Sequence, residues 1–132
     1  MVRNASVKCE VNGIQFPSKL EAKTYLVIQE HYRYPVKVAA IEPHKVLIKE
    51  QTLHFAPIYW KVDFYLPRHD VYVESKGIFE LEWKLKMKML DISNPSLLDR
   101  LIIVSTPPTR CPWKGAATVS LKQLALFLQQ LK

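Results

Sequence analysis

Two runs of alternating apolar residues, separated by four residues that favour a turn, constrain this chain more than any other feature. From Ile58 to Leu66, the apolar Ile58, Trp60, Val62, Phe64 and Leu66 share one face of a strand, with Tyr59, Lys61, Asp63 and Tyr65 on the other. From Val71 to Lys76, Val71, Val73 and Ser75 share one face, and Tyr72, Glu74 and Lys76 the other. Pro67-Arg68-His69-Asp70 closes the turn, so Leu66 pairs with Val71 in an antiparallel hairpin whose partners sum to 137. Asp63 and Glu74 also sum to 137. They therefore face one another across the ladder, with Cβ atoms about 4.5–5.5 Å apart.

Around this hairpin the remaining elements fall into place. Asn12-Gly13 centres a short hairpin from Lys8 to Phe16. Ser18, with Glu21 three residues on, has capping-box spacing for a helix that runs to about Tyr32, its apolar face supplied by Leu20, Tyr25, Ile28 and Tyr32. The stretch from Pro35 to His44 carries few structure signals, and Lys45 to Lys49 reads as a strand. After Gly77 a helix is expected from about Phe79 to Asp91, packed through Leu81, Leu85, Met89 and Ile92. Leu101 to Ser105 reads as a fully buried strand, followed by a Pro-rich loop and a last helix from about Val119 to Leu131. The order hairpin-α-β-β-β-α-β-α predicts a mixed α/β sandwich with one central sheet.

At 132 residues, a single domain spanning 1–132 is the expectation. An apolar share of 48% with 5 Phe, 6 Tyr and 3 Trp supports a packed core and argues against disorder. Three separated glycines, Gly13, Gly77 and Gly115, leave no phosphate-binding glycine loop. No apolar run is long enough for a membrane span, and the first residues lack the apolar stretch of a signal peptide, so no membrane partner and a cytoplasmic setting are expected. Cys9 and Cys111 have no metal-binding spacing and read as packing residues. His31, His44, His54 and His69 are scattered, and His69 reads as an ordinary turn residue. The formal charge of +7 suits a polyanionic partner.

Two carboxylates facing each other repel unless something positive lies between them. A Mg²⁺ ion, with oxygen ligands at about 2.0–2.1 Å, fits such a gap. Lys76 projects an ammonium onto the same face, and Glu21 stands at the start of a helix just before the sheet. The plain alternative is a solvated hairpin face that tolerates like charges. Against it, Trp60, Phe64, Tyr72 and the valines imply a mostly buried sheet, where unpaired charge is expensive. On the helix after Gly77, Lys84 and Lys88 share a face, either as a phosphate track or as ordinary surface.

The pattern Phe16-x-Ser18-x-Leu20-Glu21, Asp63-Phe64-x-Leu66-Pro67 and Val73-Glu74-x-Lys76-Gly77 resembles the PD-(D/E)xK nuclease superfamily. Within it the likeness is greatest to junction-resolving enzymes of the phage endonuclease I type and to related small phage nucleases. It extends through Ile103-Val104-Ser105 and the basic residues Arg110 and Lys114, about residues 10 to 127. Val62 stands where the family has proline, which leaves the ligand set intact.

The resemblance implies a restriction-endonuclease-like α-β-β-β-α-β core and Mg²⁺-dependent cutting of branched DNA such as four-way (Holliday) junctions, with Mn²⁺ as a substitute. It implies Asp63, Glu74 and the Ser75 backbone carbonyl as metal ligands. Glu21 would complete a second metal position or orient the water, and Lys76 would stand near the scissile phosphate. Arg110 and Lys114 resemble the family's basic loop, which implies DNA contacts there, beside the track that Lys84 and Lys88 offer by spacing; Trp113 either stacks on a base or packs under its loop. Finally, the resemblance implies a phage-encoded homodimer, in which exchanged elements can bring Glu21 from the partner; Glu21 acting in cis fits equally well. A different class of reading, a non-catalytic nucleic-acid-binding module on the same fold, remains beside it.

Overall fold

The computed structural model describes residues 8–106 and 117–132. Arg110, Cys111, Trp113 and Lys114, together with most of the Pro-rich loop, lie outside the described residues. Chain order is β1 (Cys9–Val11), β2 (Ile14–Phe16), α1 (Lys19–His31), β3 (Lys37–Val38), β4 (His44–Lys49), β5 (Ile58–Val62), β6 (Phe64–Leu66) and β7 (Val71–Ser75). Then follow α2 (Leu81–Ser93), α3 (Pro95–Leu98), β8 (Leu101–Val104), β9 (Ala117–Val119) and α4 (Leu121–Gln130).

A mixed five-stranded sheet, ordered β3-β6-β7-β8-β9, forms the centre. Its β3-β6-β7 half is antiparallel and its β7-β8-β9 half parallel. A parallel step from β7 to β8 needs a crossover, which α2 and α3 supply. Two further hairpins, β1-β2 and β4-β5, are separate two-stranded sheets, so the expectation of one sheet was too simple. β1-β2 turns at Asn12 and Gly13, both with positive φ (53° and 80°), as a two-residue hairpin loop requires. No helix among the described residues is long and apolar enough to cross a membrane.

The predicted register holds for three pairs, Phe64 with Val73, Tyr65 with Tyr72 and Leu66 with Val71, and the ladder stops short of the expected Asp63–Glu74 pair. The long strand does not. It breaks at Asp63, and residues on either side belong to different sheets. Trp60 and Val62 consequently pack with Tyr72, Trp83, Met87, Leu90 and Ile103 on one side of the sheet. Phe64 and Leu66 pack with Val73, Ile28, Leu124 and Leu128 on the other. Expecting all five apolar residues from Ile58 to Leu66 on one face was therefore wrong. The bend at Asp63 sends equal-parity residues to opposite cores.

Three further corrections concern elements whose signal is tertiary. The stretch around Pro35 to His44 contains β3, two residues long, which covers the edge of β6. β9 extends the sheet ahead of the last helix, which starts only at Leu121. In α2 the buried face is Trp83, Met87 and Leu90, whereas Leu81, Leu85 and Ile92 are exposed. Trp83 decides this rotation, because its indole finds a buried acceptor that no leucine in the helix needs.

α1 and α4 pack together on one face of the sheet; α2, α3 and the β4-β5 hairpin cover the other. Ser18 caps α1, its Oγ accepting the Glu21 N–H at 3.1 Å. Such a cap contributes about 1 kcal/mol. At α4 the full reciprocal box forms between Ser120 and Gln123. Cys9 packs half-buried against the α1/α4 core.

Candidate active site

Asp63 occupies the break between β5 and β6, Glu74 and Ser75 end β7, and Glu21 sits in the first turn of α1. Asp63 and Glu74 clasp each other's strands. The Asp63 N–H donates to Glu74 Oε1 at 2.9 Å, and the Ser75 N–H donates to Asp63 Oδ2 at 2.8 Å. Each carboxylate thus satisfies a backbone N–H on the other's strand segment.

Glu74 is almost fully buried, at 3% exposure. Its Oε2 accepts two indole N–H groups, from Trp60 at 3.0 Å and Trp83 at 2.9 Å. Neither tryptophan stood out in the sequence as a site residue: Trp60 counted as one more member of an apolar stripe. The usable signal was the need of a buried indole N–H for an acceptor, two residues of which flank a strand bearing a buried acid.

Glu21 does not cap its own helix. Its amide reaches Ser18, but its carboxylate makes no hydrogen bond back to Ser18 and is buried on the side of Asp63 and Glu74. The helix is fastened to the site strand by a hydroxyl relay: Ser75 Oγ donates to Thr24 Oγ1 at 2.9 Å, and Thr24 Oγ1 donates to the Leu20 carbonyl at 2.8 Å. Lys76 follows Ser75, half-buried, with Nζ 5.4 Å from the centre of the Trp83 ring.

Three acids and one lysine in a dry region disturb one another. Burial, then the charge of Glu74, pushes Glu21 up to about 7, with Lys76 pulling the other way. Asp63 is raised well above the ordinary carboxylate range by burial and by Glu74 and Glu21, against the Ser75 amide and Lys76. Burial also raises Glu74, opposed by the Asp63 amide, Trp60, Lys76 and Trp83. Burial is the leading cause for all three acids, and mutual repulsion adds to it for Glu21 and Asp63.

The donor set is hard oxygen, which suits Mg²⁺ or Mn²⁺. Acceptor capacity remains on Asp63 Oδ1, on one lone pair of Glu74 Oε1 and on the Glu21 carboxylate. Among the described residues, no group of three or more His, Cys, Asp or Glu side chains stands ready to hold a metal ion. Mg²⁺ does not require one, since it is usually bound by one or two carboxylates with water completing its shell. The residues present fit such an ion through Asp63 and Glu74.

The other candidates lie outside this cluster. Lys84 is half-buried and Lys88 exposed on α2, and neither forms an ion pair among the described residues. His44 stacks on Tyr65 and His31 meets Gln129. His69 does more than fill its turn: Nδ1 meets the Tyr32 hydroxyl at 2.9 Å and Nε2 the Lys132 carbonyl at 2.7 Å. Comparison with protein-family models, curated proteins and solved structures gave no match for this chain.

Proposed function

We propose that this chain is a metal-dependent, structure-selective DNA endonuclease of the PD-(D/E)xK type, hydrolysing phosphodiester bonds in branched DNA such as four-way junctions. The observation that carries the reading is the convergence of Asp63, Glu74 and Glu21, drawn from a strand break, a strand end and a helix start, beside Lys76. A core that keeps three mutually repelling acids gives up stability that uncharged residues would restore. A site for a divalent cation explains that cost.

In this reading Asp63, Glu74 and the Ser75 carbonyl hold Mg²⁺ or Mn²⁺, with Glu21 completing the set. The bound ion would acidify a water and offset phosphate charge. Lys76 presents its ammonium to the scissile phosphate, where negative charge develops. Glu21, on the side of Asp63 and Glu74, would help orient the attacking water. Lys84, Lys88, Arg110 and Lys114 hold the phosphate backbone, which fixes position without reading sequence. Two coordinated cuts need two such centres, hence a homodimer, consistent with a phage-encoded enzyme working in a bacterial cytoplasm.

The alternative is a non-catalytic nucleic-acid-binding module on the same fold. Cleavage decides between them. With Mg²⁺ or Mn²⁺, the purified protein should cut a four-way junction in preference to fork, flap, mismatched and plain duplex DNA. Asp63→Asn and Lys76→Ala should bind the junction and not cut it. Binding without cutting of any substrate by the unaltered protein establishes the alternative.

A further inference from the structure

Glu74 can offer a metal only one of its oxygens. A carboxylate oxygen accepts through two lone pairs, and both on Oε2 are taken by the Trp60 and Trp83 indoles, at 3.0 and 2.9 Å. Oε1 receives one N–H, from Asp63, and keeps one lone pair. Rotating the group to present both oxygens would strip two charge-assisted bonds from indoles that have no route to water: Trp60 is 3% and Trp83 6% exposed. The tryptophans come from different elements, β5 and α2, yet meet on the same atom. A buried indole needs only one acceptor of any kind. Two on one oxygen fix the plane of the carboxylate.

We propose that Trp60 and Trp83 are positioning residues that restrict Glu74 to one-point ligation through Oε1 and so set a preference for Mg²⁺ over Ca²⁺. The inference rests on reading Asp63 and Glu74 as metal ligands. Ca²⁺ takes six to eight oxygens and commonly uses both oxygens of a carboxylate, whereas Mg²⁺ demands near-octahedral geometry from few protein ligands. A clamped, single-oxygen donor satisfies the second ion and starves the first.

The test is metal binding by the whole chain, free of DNA. Mg²⁺ and Ca²⁺ are titrated separately by calorimetry and tryptophan fluorescence into the unaltered protein, Trp60→Phe, Trp83→Phe and Asp63→Asn. The clamp predicts that Trp60→Phe lowers Mg²⁺ affinity about tenfold or more and leaves Ca²⁺ affinity equal or higher. A purely structural role would weaken both ions alike and leave their ratio unchanged. Trp83→Phe should shift the ratio the same way, with an added loss because Trp83 also lies under Lys76. Should Trp60→Phe not fold, β-(3-benzothienyl)alanine at position 60 removes the N–H while keeping the ring. An unchanged Mg²⁺/Ca²⁺ ratio, with Mg²⁺ binding still abolished by Asp63→Asn, overturns the clamp and spares the metal reading. Mg²⁺ binding indifferent to Asp63→Asn, or absent altogether, overturns both.

Discussion

The β6-β7 hairpin has one acid at its closed end and two at its open end, and the two ends treat acids in opposite ways. At the closed end, exposed Asp70 accepts the Tyr65 hydroxyl at 2.7 Å and lies 3.1 Å from Arg100 Nε. At the open end, Asp63 and Glu74 are held by amides and indoles, and the lysine nearby, Lys76, rests against a tryptophan ring. The closed end spends its charge on joining the turn to the chain segment before β8. At the open end burial outweighs the pull of Lys76, so the acids stay raised. One strand pair thus carries an acid used for cohesion and two acids kept available.

Breaking the open end should show first in chemistry. Asp63→Asn or Lys76→Ala is expected to reduce junction cleavage on the order of 10³-fold, measured under single-turnover conditions, with little loss of thermal stability. Glu74→Ala is the poorer variant, because it orphans two buried indoles and an amide at about 1–3 kcal/mol for each unsatisfied group.

The next effect is one of pH. Folding raises Glu21 from 4.5 to about 7, so between those values the native state binds more protons than the unfolded chain. Stability contributed by this group is complete below the lower value and is lost as pH rises through the upper one. Glu21→Gln should accordingly raise stability by about 1–2 kcal/mol at pH 8 and by almost nothing at pH 4, in urea titrations without divalent ions. An equal gain at both pH values would mean that repulsion at this acid is not the cause.

A divalent cation should separate the ends again. Mg²⁺ at ten times its Kd should stabilise the unaltered protein by about 1.4 kcal/mol. That gain should vanish in Asp63→Asn and survive in Asp70→Asn. The smallest effect belongs to the closed end: Asp70→Asn removes a half-exposed ion pair and should cost about 0.2–1 kcal/mol in denaturant melts, with cleavage unchanged.

Features fixed by neighbouring residues were readable in advance. The Asn12-Gly13 turn, the Ser18 cap and the pairing of Leu66 with Val71 depend on local geometry, and each formed as expected. The break at Asp63 was not readable, because alternation continues through it in the sequence; what marks it is the Asp63 amide turned to the Glu74 carboxylate on the neighbouring strand. The same holds for α2, whose leucines and isoleucine look like a core face until Trp83 claims the interior for an acceptor on another element. Asp63, Glu74, Lys76 and Glu21 were singled out by type and spacing, and they influence one another's charge in the structure. The tryptophans that hold one of them were not, because an indole in an apolar stripe looks the same whether or not its N–H is working.

The clasp between Asp63 and Glu74 has a consequence for inheritance. Each acid is seated by a backbone amide at or beside the other, so a mutation at one shifts the partner it leaves behind. Lengthening Asp63 to glutamate, for instance, displaces the oxygen that meets the Ser75 amide and with it the end of β7. Damage at the two positions should overlap instead of adding, so that the double variant is scarcely worse than either single one. Lineages of this chain would then cross between acid arrangements in paired steps, and descendants that lost one acid would have little left to preserve in the other.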